Sequence, residues 1–320
     1  MSAIDVLCIG DLDVDLFVSV PEIPGFDQKV AGFNHGQKAG GMAANCAVAV
    51  SRLGLRSRLI SAVGADPAGG FAQECLKHDG VDLDFLAWRG DAPTFMCIVL
   101  LSPAGEKSLI RLETDAYLPR VSDLVPEAFE DVRHVHVTYG SPELSLAALR
   151  MAIERGMSTS MDLEPPDIAR NPSLLRTVLP LVDTLFLNRE AYDAVRGVLG
   201  ESLEPDRLRP AGEIVVTLGA EGCRRLTAAG SDFVPGFAID SVDTTGAGDC
   251  FAGAYLVAGL SGIAGDERLR FANAAAALST RRMGAQAGMP IRGELDDFLA
   301  SRRTSRSDKH GFEVKGAARA

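Results

Sequence analysis

Asp243-Thr-Thr-Gly-Ala-Gly-Asp-Cys-Phe-Ala-Gly-Ala-Tyr-Leu256 is the stretch whose chemistry organises the rest of the sequence. Gly246, Ala247 and Gly248 lead into Phe251, Ala254, Tyr255 and Ala258, which recur at helical spacing, so a helix is predicted from Gly246 to Leu260. The first N–H groups of a helix have no partner inside it, and small residues there let a bulky anion approach them. Asp249 stands beside this anion hole, where a carboxylate can accept a proton from a hydroxyl attacking phosphorus. The plainer alternative is that Thr245 or Asp249 caps the helix and the glycines serve a turn.

Upstream, strand-like runs alternate with helix-like runs, the pattern of βαβ units around a mainly parallel sheet. Strands are predicted at Ile4 to Gly10, Leu59 to Gly64, Val132 to Val137, Ser158 to Leu163, Thr184 to Asn188 and Glu213 to Leu218. Helices are predicted at Gly41 to Leu53, Gly69 to His78, Pro142 to Arg155, Glu190 to Val198 and, past the quoted stretch, Glu267 to Arg281. Two places break the rhythm. Val14 to Val20 with Val30 to Gly36, and Thr94 to Leu101 with Lys107 to Leu112, lack an intervening helix and read as antiparallel hairpins of a small β appendage able to close over a site. From Ser301 the chain turns Arg- and Ser-rich and is expected to be a flexible tail.

The 320 residues carry 43 acidic and 32 basic side chains, a net charge of −11, which argues against a nucleic-acid surface. With 47% hydrophobic residues there is material for a large core, yet no apolar run approaches the roughly 18 residues of a membrane span. The N-terminus lacks the basic and apolar segments of an export signal, so a cytoplasmic location is expected. Six scattered cysteines without a C-x-x-C pair read as buried reduced thiols, and five histidines without metal-ligand spacing disfavour a His-based site. The Gly-rich dinucleotide fingerprint is missing, which sets a dinucleotide oxidoreductase aside.

Asp243 to Asp249 matches the D-T-x-G-A-G-D signature, and in this the sequence resembles the ribokinase-like (PfkB-type) carbohydrate kinase family. Matches at Gly10-Asp-Leu-Asp-Val-Asp15 with Gly40-Gly-Met-Ala-Ala-Asn45, at Val215-Val-Thr-Leu-Gly-Ala-Glu-Gly222, and at Phe271 to Ser279 with Met283 to Gly288 extend the resemblance over nearly the whole chain. It implies a three-layer α/β/α domain with a mainly parallel central sheet and a small β-sheet lid. The expected organisation is one kinase domain over 1–300, with lid strands from about 14–20, 30–37, 94–101 and 107–112, and a basic tail over 301–320.

By residue type, Asp11, Asp13 and Asp15 alternate onto one face of a strand, where clustered carboxylates call for a ligand with several donors, such as a polyol; an exposed acidic strand end is the alternative. The resemblance adds Gly41 and Asn45 to these as substrate contacts. It makes Asp249 the catalytic base and the N–H groups of Gly246, Ala247 and Gly248 the anion hole. On the nucleotide side it implies Asn188, Thr217, Gly219, Gly222 and Asn273, with Gly246 and Gly248. Backbone carbonyls around Asp243, Thr245 and the loop at Gly284 to Gly288 would hold a monovalent cation, K⁺; helix packing and capping account for the same residues almost as well.

Departures from the family pattern narrow the reading. The family's N-x-x-E has its acid one residue early, at Glu190, which is expected to help organise Mg²⁺ from a shifted turn; Asp193 is the substitute, or the metal is organised differently. Met42 replaces the Lys that ribokinase proper tends to carry after the paired glycines, so ribose is disfavoured. The resemblance therefore implies an ATP- and Mg²⁺-dependent kinase acting on a hydroxyl, expected to be primary, of a small sugar or sugar derivative, and forming a homodimer through the lid. A nucleoside kinase of the same family is the alternative; a non-catalytic sugar or nucleotide sensor would have no use for an intact Asp249.

Overall fold

The computed structural model describes residues 3–307 apart from Gly105, Tyr139 and Glu201. The chain enters through β1 (Ile4–Ile9), then forms β2 (Asp13–Ser19), β3 (Phe33–Gly40) and the Ala-rich helix α1 (Met42–Arg52). β4 (Ser57–Ile60), β5 (Ala62–Gly64), α2 (Pro67–His78), β6 (Ala87–Arg89), β7 (Met96–Leu101) and β8 (Lys107–Leu112) follow. A regular alternation comes next, with β9 (Val132–Thr138), α3 (Pro142–Glu154), β10 (Ser158–Leu163), α4 (Pro165–Arg170), α5 (Leu175–Val178), β11 (Thr184–Asn188), α6 (Arg189–Leu199) and β12 (Glu213–Thr217). The chain then runs through β13 (Gly222–Thr227), β14 (Gly230–Pro235), α7 (Ala247–Leu260), α8 (Gly265–Ser279) and α9 (Arg292–Ser307).

Eight strands form the central sheet in the order β14-β13-β12-β11-β10-β9-β1-β4. Every pair from β12 to β4 is parallel, and only β13 and β14 join antiparallel at one edge. Successive strand residues face opposite sides, so Val6 and Cys8 enter one core with α1, α7 and α8, while Leu7 and Ile9 enter another with α3 and α6. Helices thus cover both faces, in the three-layer α/β/α arrangement that the family resemblance implies.

A separate four-stranded sheet has the order β3-β2-β7-β8. β2/β3 and β7/β8 are antiparallel hairpins, joined by parallel pairing of β2 with β7. Its register aligns Lys38, Asp15, Cys97 and Arg111 in one cross-strand row, which puts their side chains on one face.

Three expectations need correction. Leu59 to Gly64 is two strands, because at Ser61 the chain leaves the central sheet: its carbonyl accepts from Ala87 N–H, and β5 pairs with β6. The hairpin β13/β14, which the sequence expectation lacks, is held by ladder bonds and the cross-strand Arg225–Asp232 pair. The tail does not begin at Ser301, since α9 continues to Ser307. Leu295 is buried, Phe298 packs edge-on against Phe237, and Arg302 stacks over Phe298 and donates to the Ala238 carbonyl, so the helix keeps an anchored side. Residues 308–320 of the expected tail lie outside the described residues. No helix among the described residues is long and apolar enough to cross a membrane.

Candidate active site

Because β1, β9, β10, β11 and β12 are parallel, their carboxyl ends meet at one edge of the sheet, which is where open α/β sheets bind ligands. That edge presents Asp11, Thr138, Asp162, Asn188 and Thr217, with Asp11 Oδ1 accepting from Ala43 N–H at 3.2 Å at the start of α1. Gly41 caps α1 with φ +97°, and a Cβ there would lie 2.6 Å from the Asp11 carbonyl oxygen, so only glycine lets the two segments meet.

The first turn of α7 is open. Gly246, its cap, has φ +73°, and a Cβ on it would strike the Ala285 side chain at 2.6 Å. A Cβ on Gly248 would meet nothing within 4 Å. Ala247 N–H is spent within the turn, donating to the Thr244 carbonyl at 3.2 Å, which corrects its expected place in the anion hole. The N–H groups of Gly246, Gly248 and Asp249 have no acceptor among the described residues. No side chain caps this helix, so the capping alternative for Thr245 and Asp249 falls away.

Asp249 Oδ2 accepts from Asn45 Nδ2 at 2.8 Å, and Asn45 Oδ1 in turn accepts from Gln286 Nε2 at 3.0 Å. Asn45 is therefore bound first to Asp249, and Gln286, unnoticed in the sequence, orients it. Burial pushes the Asp249 carboxyl well above the ordinary carboxylate range, and the charges of Asp162, Glu164 and Asp11 add to this against the Asn45 hydrogen bond. Desolvation and crowded carboxylates thus outweigh the pull of a helix N-terminus toward the ionised form.

Asp13 and Asp15 are each 6% exposed, and Asp13 Oδ1 has no hydrogen-bond partner among the described residues. Burial, then Asp15, Asp11 and Asp249, drive the Asp13 carboxyl well up. Burial, then Asp243 and Asp11, raise Asp15 to about 6, against the pull of Lys107. Arg111 sits nearby, its guanidinium 5.0 Å from the Tyr117 ring centre and 5.4 Å from that of Phe95. A buried carboxyl oxygen without a protein partner is open to a donor from a ligand, and a sugar hydroxyl is such a donor.

Asp243 is 8% exposed and fully engaged. Its Oδ1 accepts from Lys107 Nζ at 2.8 Å, Thr245 N–H at 3.0 Å and Thr245 Oγ1 at 2.7 Å, and its Oδ2 from Gly284 N–H at 2.8 Å. Burial acts to raise its pKa, but Lys107 and these donors outweigh it and bring Asp243 down to about 2. Gly284 lies against the Lys38 stem, and Gly288 is pressed under the Ser279 carbonyl, where a Cβ would come within 1.9 Å.

On the nucleotide side, Asn188 and Thr217 are register neighbours at the ends of β11 and β12. Asn188 caps α6, accepting from Ala191 N–H at 2.7 Å, and Glu190 is exposed on that helix's first turn. Gly219 is open, whereas Gly222 packs beneath the Val234 carbonyl. Asn273 is 7% exposed and donates to the Pro235 carbonyl at 2.9 Å, tying α8 to the edge hairpin. Sequence reasoning missed Asp162 and Glu164; an acid at the end of a parallel strand before Pro165-Pro166 was the available signal. Burial, then Glu164, holds Asp162 well above its ordinary range.

The sequence pattern of the pfkB family carbohydrate kinases matches residues 3–292. The ribokinase of Haemophilus influenzae is 27% identical over 303 residues, covering 91% of this chain and 97% of that protein. The nucleoside kinase of Methanothermobacter thermautotrophicus is 29% identical over 293 residues, covering 91% and 94%. A solved E. coli structure in complex with ATP and Mg²⁺ superposes with TM-score 0.80 at 25% identity, covering 93% of this chain and 99% of that one.

Proposed function

The chain belongs to the pfkB family of carbohydrate kinases, and on that premise we propose that it moves the terminal phosphoryl group of ATP to a hydroxyl, expected to be primary, of a small sugar or sugar derivative. The observation that carries this reading is the Asn45–Asp249 hydrogen bond beside the open first turn of α7, because it joins a base to an oxyanion site.

In this reading the acceptor sugar is held by Asp13 and Asp15, against the backbone at Gly41. Asp249 takes the hydroxyl proton as the oxygen bonds phosphorus; the bond from phosphorus to the bridging oxygen breaks and ADP leaves with its electron pair. The N–H groups of Gly246, Gly248 and Asp249 receive the charge on the transferred phosphoryl, each donor worth roughly 2.7 to 4 kcal/mol of barrier. Mg²⁺, when bound, neutralises phosphate charge, and Asp162 and Glu164 are the carboxylates that would hold it, with Glu190 farther out on α6 as the acid the family pattern suggests. Asn188, Thr217, Gly219 and Asn273 would serve the nucleotide, Gly222 only by shaping the hairpin. The raised pKa makes Asp249, once ionised, a stronger base than an ordinary carboxylate.

The small sheet would act as the lid that keeps water from the phosphoryl group. Its outer positions Ile110 and Leu112 are 46% and 43% exposed, which supports a homodimer through this sheet; sedimentation velocity reads that directly, and a monomer at micromolar concentration would refute it. Six unpaired cysteines and a need for ATP fit the cytoplasm.

A screen of ADP formation against hexoses, pentoses, sugar acids and nucleosides tests the proposal. Turnover on a sugar supports it, and turnover on nucleosides alone would transfer the site to the alternative.

A further inference from the structure

At Asp243 and Thr245, where the resemblance places K⁺, a side-chain cation is already seated. Four donors converge on the Asp243 carboxylate: Lys107 Nζ and the Thr245 N–H and hydroxyl on Oδ1, and the Gly284 N–H on Oδ2. Thr245 Oγ1 also lies 2.7 Å from Lys107 Nζ. The Thr280 carbonyl, which faces the same loop, already accepts from Val242 and Asp243 N–H. A positive charge is therefore present at this spot, but it belongs to a side chain.

We propose that the Lys107 ammonium is a built-in monovalent cation: it neutralises Asp243 and fixes the Asp243–Thr245 turn that aims the first amides of α7, so that phosphate binding does not depend on K⁺. Lys107 stands on β8, in the small sheet, while Asp243 and Thr245 precede α7 in the body. The same ammonium thus fastens the small sheet to the phosphate turn, a tie that a dissolved ion cannot make. Lys38, from β3, lays its stem on Gly284 and braces the other side of the loop. Lys107 is a positioning residue, since it acts through Thr245 and Gly246 on the bound anion. The inference rests on the phosphotransfer reading for its consequence, though the cation contact stands without it.

The test compares the wild-type protein with Lys107→Met, which keeps the aliphatic stem and removes the charge, at constant ionic strength in choline, Na⁺, K⁺ or NH₄⁺ chloride. Two quantities are read: Tm without ligand, and the Kd of Mg·ADP by calorimetry. For the wild type both are expected to be the same in all four salts. For Lys107→Met in choline, Tm falls and Mg·ADP binds about tenfold more weakly, the loss of one charge-assisted hydrogen-bond set. K⁺ or NH₄⁺ at about 100 mM then restores both by occupying the vacated position, a rescue that mere loss of packing would not show. A K⁺ response in the wild type, or a variant that K⁺ does not rescue, overturns the proposal. If wild-type protein binds no Mg·ADP in any salt, the kinase reading fails, and the Tm comparison still decides the cation claim.

Discussion

Asn45 donates to Asp249 across 2.8 Å although the two residues lie 204 positions apart, one on the first turn of α1 and one on the first turn of α7. Gln286 completes the chain from the loop after α8, and its carbonyl is held by Arg52, itself paired with Asp79. Three segments are thereby locked around one carboxylate oxygen. An amide has one carbonyl end and one NH₂ end, so the Gln286 contact decides which end of Asn45 faces Asp249.

Gln286→Ala should lower kcat about tenfold while leaving KM for the acceptor within about twofold, because it disorients Asn45 without touching the sugar. Steady-state kinetics on the best acceptor reads this, and an equal loss in KM would mean that Gln286 serves binding instead.

The two glycines of the α7 turn should behave differently. Gly246→Ala collides with Ala285 and forces an unfavourable φ, so it lowers Tm. Gly248→Ala faces open space, so its Tm should hold or rise slightly, yet its methyl group occupies the phosphate's approach and kcat/KM for ATP should fall by about a hundredfold. Normal ATP kinetics in Gly248→Ala would empty the anion hole of its role.

Which parts of this were legible in the sequence follows from which signals are local. The helix at Gly246, the alternation of the central sheet and the four strands of the small sheet are local patterns of period and turn, and they were readable. Asp13, Asp15 and Asp249 can be singled out because their neighbours carry the family signature, and the fold brings the three carboxyls near one another. The split at Ser61 and the β13/β14 hairpin depend on pairing with distant strands, which no local window contains. Gln286 and Lys107 were invisible for the same reason: each matters through a partner more than 130 positions away, Asn45 for one and Asp243 for the other. The raised pKa of Asp249 is not legible from its place at a helix terminus, because the crowding by Asp162 and Glu164 is a property of the folded edge.

Asp15 should trade stability for function. Its pKa is raised to about 6, so the folded protein holds this proton more tightly than the unfolded chain. The charged form therefore opposes folding as pH rises from the ordinary carboxylate value, and fully so above about 6. Asp15→Asn should stabilise the substrate-free protein at pH 7.5 by on the order of 1 to 3 kcal/mol, with the gain vanishing below about pH 4. The same variant should lose sugar affinity, and in the wild type kcat/KM should fall on the acid side of about pH 6. Denaturant melts at two pH values check the sign; a destabilised Asp15→Asn at pH 7.5 would contradict it.

His134 sets an acid limit. Burial, then His136 and Arg268, hold its pKa at about 3, and its two ring nitrogens meet Ser158 and Ser160 at 2.7 Å. Because the unfolded imidazole takes a proton near pH 6.5 and the folded one refuses it, stability should drop as pH falls below about 6.5, by roughly 1.4 kcal/mol per unit. His134→Gln should flatten this slope between pH 6.5 and 4.5, and an unchanged slope would assign acid lability to other groups.

The most direct measurement is the turnover of Asp249→Asn beside its binding of Mg·ADP and of the acceptor. The substituted amide still offers Asn45 a carbonyl, so both affinities should stay within about threefold, while kcat falls by about a hundredfold to ten-thousandfold. A kcat near that of the wild type would contradict the account, since proton transfer to this carboxylate would then have no part in the reaction.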